Sequence, residues 1–157
     1  MTKKKPIYQD ICLLFPYGTF PGGELIHFIR SFGPSARKHL ITDDCLIWNA
    51  VSGRGFIVWI SEARPWTWDN ECRWHIIVSR SGRNVHAIVL QHLIPYLAIQ
   101  RWPEFKILAP ETCSVFETAT EFLVFAKRAI LAQANLQELT KYGYVDEDSE
   151  VQLSTWP

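Results

Sequence analysis

The stretch that decides the fold runs from Arg64 to His92 and reads RPWTWDNECRWHIIVSRSGRNVHAIVLQH. Three tryptophans, three histidines and four of the nine arginines of the chain surround its apolar run. The segments RWHIIVS and VHAIVL are rich in β-formers and flank the turn signal RSGRN. We therefore predict a β-hairpin here, preceded by a loop, EARPWTWDNEC.

The same pattern occurs about thirty residues earlier. LIWNAV and FIVWIS are two β-rich runs around SGRG, which is typical of a hairpin. Both turns contain Ser-Gly-Arg, at 52–54 and 81–83. The two hairpins predict a four-stranded antiparallel meander, to which 7–15 (IYQDICLLF) adds a further strand.

Two segments predict helices. Residues Glu24 to Phe32 carry apolar side chains at helical spacing before Gly33-Pro34. A longer helix is predicted from Val115 to Leu139, ending at Gly143, because Ser114 and Glu117 fit a capping box. Its wide apolar sector requires cover, for which the sheet is the natural candidate.

These elements predict one α+β domain. We expect residues 1–145 to form an antiparallel sheet of about four to six strands, packed against one long C-terminal helix. Residues 146–157 (DEDSEVQLSTWP) are predicted to be an acidic, polar, solvated C-terminal tail.

Composition favours a globular protein. The chain has 157 residues, the size of one ordinary domain, of which 48% are hydrophobic and 20% charged. Its apolar runs are too short to span a membrane, and no secretory leader is indicated, so we expect a cytoplasmic protein without membrane association. The four cysteines form no CxxC pair and are predicted to be small core residues.

The charge is zero overall but unevenly distributed. Residues 1–101 hold 12 Lys or Arg against 7 Asp or Glu, a balance of +5. Residues 102–157 hold 4 against 9, a balance of −5. The first two thirds could therefore meet an anionic partner, which the last third would repel.

Tryptophan and arginine are enriched where proteins bind one another, and seven tryptophans are many for this length. We therefore predict a non-catalytic, macromolecule-binding protein with a protein partner, of inhibitor, immunity or accessory type, as found in bacteria or phages. The predicted binding patch consists of Arg54, Arg64, Trp66, Trp68, Arg73, Trp74 and Arg83.

Nucleic-acid binding is the first alternative. The same arginines, with Arg80, are suited to phosphates, and exposed indoles stack on bases. Zero net charge weighs against it, because a polyanion-binding protein is usually basic.

The enzyme alternatives rest on fewer residues. His75 and His86 would share a face of the second hairpin, and with Asp69 and Cys72 they are weak metal-ligand candidates. Cys72 near His75 would suit a nucleophile and its base.

A second enzymatic arrangement involves acidic residues. Asp43-Asp44 followed by Glu62-Ala63-Arg64 resembles the metal site of restriction-type nucleases, with Arg64 in place of the usual lysine. Without a phosphate-binding loop, a nucleophile elbow or a dinucleotide fingerprint in the sequence, we expect no cofactor and favour a binding protein over an enzyme.

Overall fold

The computed structural model describes residues 10–16, 24, 27–28, 37–42, 45–49, 58–68, 71–80, 84–109, 112 and 114–153. The elements in chain order are β1 (Ile11–Pro16), β2 (Arg37–Thr42), β3 (Cys45–Asn49), β4 (Val58–Trp68), β5 (Glu71–Arg80), α1 (Val85–Arg101), β6 (Lys106–Ala109), β7 (Ser114–Phe116), α2 (Ala119–Gln133) and α3 (Leu136–Lys141).

The strands form one antiparallel sheet. In the described part of the chain it has seven strands in the order β2-β3-β4-β5-β1-β6-β7, more than the four to six predicted. The first predicted hairpin is confirmed as the β3–β4 pair. The predicted N-terminal strand is also confirmed, as β1, although it lies at the centre of the sheet between β5 and β6.

The second predicted hairpin is wrong. RWHIIVS lies in β5, but VHAIVL begins a 17-residue helix, α1. Since β5 and β6 are both antiparallel to β1, they are parallel to each other. The unit β5–α1–β6 is therefore a parallel crossover with β1 inserted between its strands, and such a crossover needs an element of helix length.

α1 is a helix despite its β-branched residues because its start is capped and most of its surface is buried. The Asn84 side chain accepts a hydrogen bond from the His86 backbone N–H at 2.9 Å. Thirteen of the 17 residues of α1 are buried, so the helix has no polar face. Its sequence therefore lacks the alternation of apolar and polar residues that would indicate a helix. Pro95 lies inside the helix.

The main core lies between the sheet and α1. On the sheet it includes Ile11, Leu13, Val78 and Ile107, and α1 contacts β1, β4, β5 and β6. α2 packs on α1 and β7, so the cover of this face is α1 and not the C-terminal helix that was predicted. None of the helices in the described residues is both long and apolar enough to cross a membrane.

The predicted Val115–Leu139 helix is two shorter helices. Ser114 lies in β7, and the N-cap is Thr118, whose hydroxyl accepts from the Glu121 backbone N–H at 3.2 Å. Asn135 then caps α3 by accepting from the backbone N–H groups of residues 137 and 138. A capping side chain favours a new helix start, which explains the break after Gln133.

The helix end at Gly143 is confirmed. Gly143 has φ +76° and donates to Thr140 O, while Tyr144 N–H donates to Leu139 O at 2.8 Å. This is the Schellman arrangement, in which the left-handed residue is usually glycine. It turns the chain so that Tyr144 and Leu139 are both buried in the core.

Packing continues beyond the predicted domain end at residue 145. Val145 pairs with Val151, and Val151 and Leu153 are buried in the main core. Asp146 holds the turn between them, since its carboxylate accepts from the backbone N–H groups of Asp148 and Glu150. The acidic residues are exposed, but this segment is attached to the fold through at least Leu153.

The shorter predicted helix, Glu24 to Phe32, is confirmed at its three described positions, which are Glu24, His27 and Phe28. The Phe28 ring packs edge-on against Trp102 at 5.4 Å between ring centroids. This contact ties the segment to the end of α1.

A pair of leucine variants tests the burial of α1. Leu90→Ala should lower the free energy of unfolding by about 2–5 kcal/mol, because it removes a fully buried side chain. Leu131→Ala, on α2 at 44% exposure, should change it by less than about 1 kcal/mol. Urea unfolding at pH 7 measures both; equal effects would contradict this placement of α1.

Candidate binding ribbon and buried polar contacts

The predicted tryptophan loop is a strand pair. Trp66 and Trp68 lie in β4, which continues to Trp68, and they oppose Arg73 and Glu71 of β5. We name 65–68 with 71–74 the ribbon. The prediction of a loop here was wrong because Pro65 and the polar run Thr67 to Glu71 are typical of loops, yet a strand end tolerates both.

The sheet register assigns the ribbon positions to two faces. In β1, Ile11 and Leu13 belong to the α1 side, whereas Cys12 and Leu14 belong to a second cluster with Leu108. Arg73 pairs with Pro16 and therefore shares the face of Cys12 and Leu14.

Trp66 and Trp68 share this face with Arg73, because directly opposed residues lie on the same side of a sheet. Trp74 pairs with Phe15 and takes the α1 side. The predicted patch is therefore divided, with Trp66, Trp68 and Arg73 together and Trp74 on the opposite face.

The other three residues of the predicted patch are Arg54, Arg64 and Arg83. Arg64 lies at a β-bulge between Glu62 and Pro65, and Arg54 and Arg83 fall outside the described residues.

The bulge lies in the middle of β4, so Glu62-Ala63-Arg64 is not at a strand end as the nuclease-like alternative required. Asp43 and Asp44 also fall outside the described residues.

The ribbon extends past its neighbours. Pairing with β3 ends at Glu62, and pairing with β1 ends at Arg73. Beyond these points, in the described pairings, Thr67 and Trp68 pair only with Cys72 and Glu71. Two-stranded ends of this kind can be covered by another molecule without disturbing the core.

The second hairpin, on which the histidine-pair alternative rested, does not form. His75 lies in β5 opposite Leu14, whereas His86 lies in α1, so the two do not form a cross-strand pair. Cys72 and His75 are three residues apart in one strand and therefore occupy opposite faces. Asp69 lies outside the described residues, and the described residues contain no group of three or more metal-ligating side chains.

Cys12 confirms the prediction that a scattered cysteine is a core residue. It is 2% exposed. Burial, with a smaller contribution from Asp10, raises the pKa of its thiol to about 12. The thiol therefore stays protonated at neutral pH and is a poor nucleophile. Cys45 and Cys72 lie in strands, and Cys113 falls outside the described residues.

His86 instead anchors the end of the C-terminal region. Its Nδ1 lies 2.7 Å from the Tyr144 hydroxyl, and its ring contacts the Tyr142 ring at 4.4 Å between centroids. A cavity of about 350 Å³ opens beside it, lined by Asn84, Val85, His86, Glu138 and Tyr142. Sequence reasoning missed the His86–Tyr144 contact because the two residues are 58 positions apart in the chain and leave no local pattern.

A buried polar network joins β5 to both long helices. Arg80, 6% exposed, donates through Nε to Gln91 Oε1 at 2.9 Å and through a terminal nitrogen to Gln133 Oε1. Gln91 in turn donates to the Val78 carbonyl at 3.1 Å. Arg80 is therefore a structural residue, and its guanidinium is not available to phosphates as the nucleic-acid alternative assumed.

His92 is fully buried beside this network. Its Nδ1 lies 2.8 Å from Ile88 O, so Nδ1 carries the proton and Nε2 is left without a hydrogen-bond partner in the described structure. Burial lowers the pKa of His92 to about 4; the bond to Ile88 opposes this shift, and the charge of Arg80 adds to it. His92 is therefore neutral near pH 7.

Comparison of the chain with protein-family models, curated proteins and solved structures gave no match.

The His92 environment predicts loss of stability in acid. Its folded pKa lies below the ordinary value of 6.5, so the unfolded chain takes up the proton first as the pH falls. Between pH 7 and pH 5 the free energy of unfolding should fall by about 2 kcal/mol from this residue. Urea titrations across this range should show the loss, and His92→Leu should remove it.

The exposed Leu131 provides the control, because Leu131→Ala removes no titratable group and should leave the pH dependence of stability unchanged. An unaltered acid loss in His92→Leu would contradict the assignment to His92.

The hydroxyl of Tyr144 should contribute to stability. Tyr144→Phe removes the bond to His86 and should lower the free energy of unfolding by about 0.5–1.5 kcal/mol. Tyr142→Phe, at a half-exposed neighbouring ring, is the matched control and should change it by less than about 0.5 kcal/mol. Urea unfolding of the two variants side by side is the measurement, and a larger loss in Tyr142→Phe would contradict the account.

Proposed function

We propose that this protein is a non-catalytic binding protein that occupies a protein partner through the ribbon. The observation that carries the proposal is the register of β4 and β5, which assigns Trp66, Trp68 and Arg73 to one face at a projecting strand end. Tryptophan and arginine are the residue types that contribute most at interface centres. A strand pair also holds them at a smaller entropic cost than a loop would.

The ribbon favours a protein over a nucleic acid as partner. Glu71 opposes Trp68 in the β4–β5 register, so an acidic residue shares the face to which a phosphate backbone would have to bind. Arg80 is engaged inside the fold, which reduces the arginines available for phosphates. The zero net charge supports the same choice.

The protein is proposed to act by occupying a site on its partner. An inhibitor, immunity or accessory protein needs a stable scaffold and a protruding contact element, and no reactive side chain. Cys12 is held as a neutral thiol, and Cys72 and His75 take opposite faces of β5, so neither arrangement supports nucleophilic catalysis. Localisation in the cytoplasm remains part of this proposal.

The test compares two tryptophan variants of the same ribbon. Trp66→Ala with Trp68→Ala should reduce capture of the partner from nuclease-treated native lysate by at least about thirtyfold, because interface-centre residues each contribute on the order of 2 kcal/mol or more. Its thermal unfolding should stay cooperative and close to wild type. Trp74→Ala, on the α1 side, should lower the unfolding temperature and leave capture by the folded fraction intact.

Three results would contradict the proposal. The double variant would unfold if the two indoles were core residues. Capture would survive if the ribbon were not the interface. A steep decrease of affinity with salt, together with loss of capture on nuclease treatment, would identify a nucleic-acid partner instead.

A further inference from the structure

α2 carries three charged residues, of which one is paired within the chain and two are not. Lys127 Nζ lies 2.7 Å from Glu150 Oε1. Glu121 and Arg128 are exposed, and neither forms an ion pair with any residue that the structure describes. The helix therefore presents one uncompensated negative charge and one uncompensated positive charge.

The two unpaired charges share the exposed side of α2 with apolar side chains. Glu121 and Arg128 are two turns apart, so they lie on the same side of the helix but about 10 Å from each other along its axis. Val124, 53% exposed, lies between them, and Leu131, 44% exposed, follows one turn after Arg128. We name these four residues the α2 strip, in which charged and apolar side chains alternate.

We propose that the α2 strip pairs with the α2 strip of a second copy of this chain. The two helices run antiparallel, and the two-fold axis passes between residues 124 and 125. In a two-fold interface, each contact occurs twice with the roles of the two copies exchanged. Glu121 of each copy therefore lies opposite Arg128 of the other. The strip is complementary to itself, whereas an acidic or a basic helix would match only one of its two charges.

The charges also select this register over its main competitor. In the proposed register Val124 meets Val124 of the second copy at the axis, and Leu131 packs beside Thr118, at the start of the other α2. A register that set Val124 against Leu131 would bring the two Arg128 guanidinium groups together, and like charges in contact oppose association.

The acidic residues around α2 are compatible with this pairing. Glu150 is neutralised by Lys127, which lies on the opposite flank of the strip from the two unpaired charges. Glu117, which precedes the helix, lies 3.1 Å from Lys106 Nζ. The net charge of the whole chain is zero, so two copies have no net charge with which to repel each other at long range.

A single pair of helices forms a small interface. α2 has 15 residues and is about 22 Å long. Interfaces below about 1,200 Å² of total buried area belong to weak or transient complexes. We therefore expect a dimer that dissociates at micromolar concentrations and forms as the concentration approaches about 1 mM. This surface lies on a different element from the ribbon and does not depend on the function proposed for it.

Sedimentation equilibrium of the full chain from about 10 μM to 1 mM tests the pairing. The wild type should form dimers. Glu121→Arg and Arg128→Glu should each weaken the dimer by about tenfold or more, because each sets like charges opposite one another at both symmetric contacts. The double variant that combines the two changes should dimerise like the wild type, because the exchange preserves the complementarity.

An equimolar mixture of the two single variants gives the sharpest comparison. One variant has arginine at both positions and the other has glutamate at both, so the two should pair with each other although neither pairs with itself. Lys141→Glu, an equal charge change on α3 outside the strip, is the control and should dimerise like the wild type. All these variants replace exposed side chains, so their thermal unfolding should match the wild type.

Three results would overturn the proposal. The chain could be monomeric at 1 mM. Both single variants could associate as strongly as the wild type, which would place the contact elsewhere. The double variant and the mixture could fail to associate although each single change weakens the dimer, which would show that the two charges do not face each other across a two-fold axis. The ribbon double variant Trp66→Ala with Trp68→Ala should still dimerise, which separates this test from that of the proposed function.

Discussion

Burial of α1 between the sheet and α2 is the constraint on which the rest of the structure depends. Leu90, Leu93 and Ile94 are at most 1% exposed, and burying each such side chain contributes about 1.5–3 kcal/mol. α1 also determines the topology, since it carries the chain from β5 across the face of β1 to β6. Without it neither the parallel relation of β5 and β6 nor the central position of β1 would be required.

Polar contacts fix the position of this helix. Apolar burial alone tolerates several arrangements of similar residues, whereas hydrogen bonds in a core require one geometry. Arg80 joins β5 to α1 and α2, and the His86–Tyr144 bond joins the start of α1 to the C-terminal turn. These contacts also explain why the acidic C-terminal segment belongs to the fold, because Tyr144, Val145 and Val151 lie in the same core as α1.

The ribbon is the proposed binding surface of this scaffold. The β4–β5 ribbon extends beyond the described pairing of both neighbouring strands. The centre of the sheet anchors the strands that form the ribbon. A partner could cover the ribbon without moving the core.

Sequence reasoning predicted the α+β class, the β3–β4 hairpin, β1 and the helix end at Gly143, because each has a local signal. It failed at α1, where an almost fully buried helix rich in Val and Ile has the same pattern as a strand. It misplaced the start of α2 by four residues, because Ser114–Glu117 and Thr118–Glu121 fit the same capping pattern. The Arg80 and His86 contacts join residues far apart in sequence, and the division of the tryptophans between two faces depends on a register that only the sheet supplies.

Amide hydrogen exchange of the native protein tests the central role of α1 most directly. If α1 is the buried centre of the fold, amides from residue 89 to residue 99 should exchange only through global unfolding, with the same protection as the β1 amides. Those of Thr67, Trp68, Glu71 and Cys72, at the two-stranded end of the ribbon, should exchange much faster. Rapid exchange of the α1 amides, at rates like those of the ribbon end, would contradict the account.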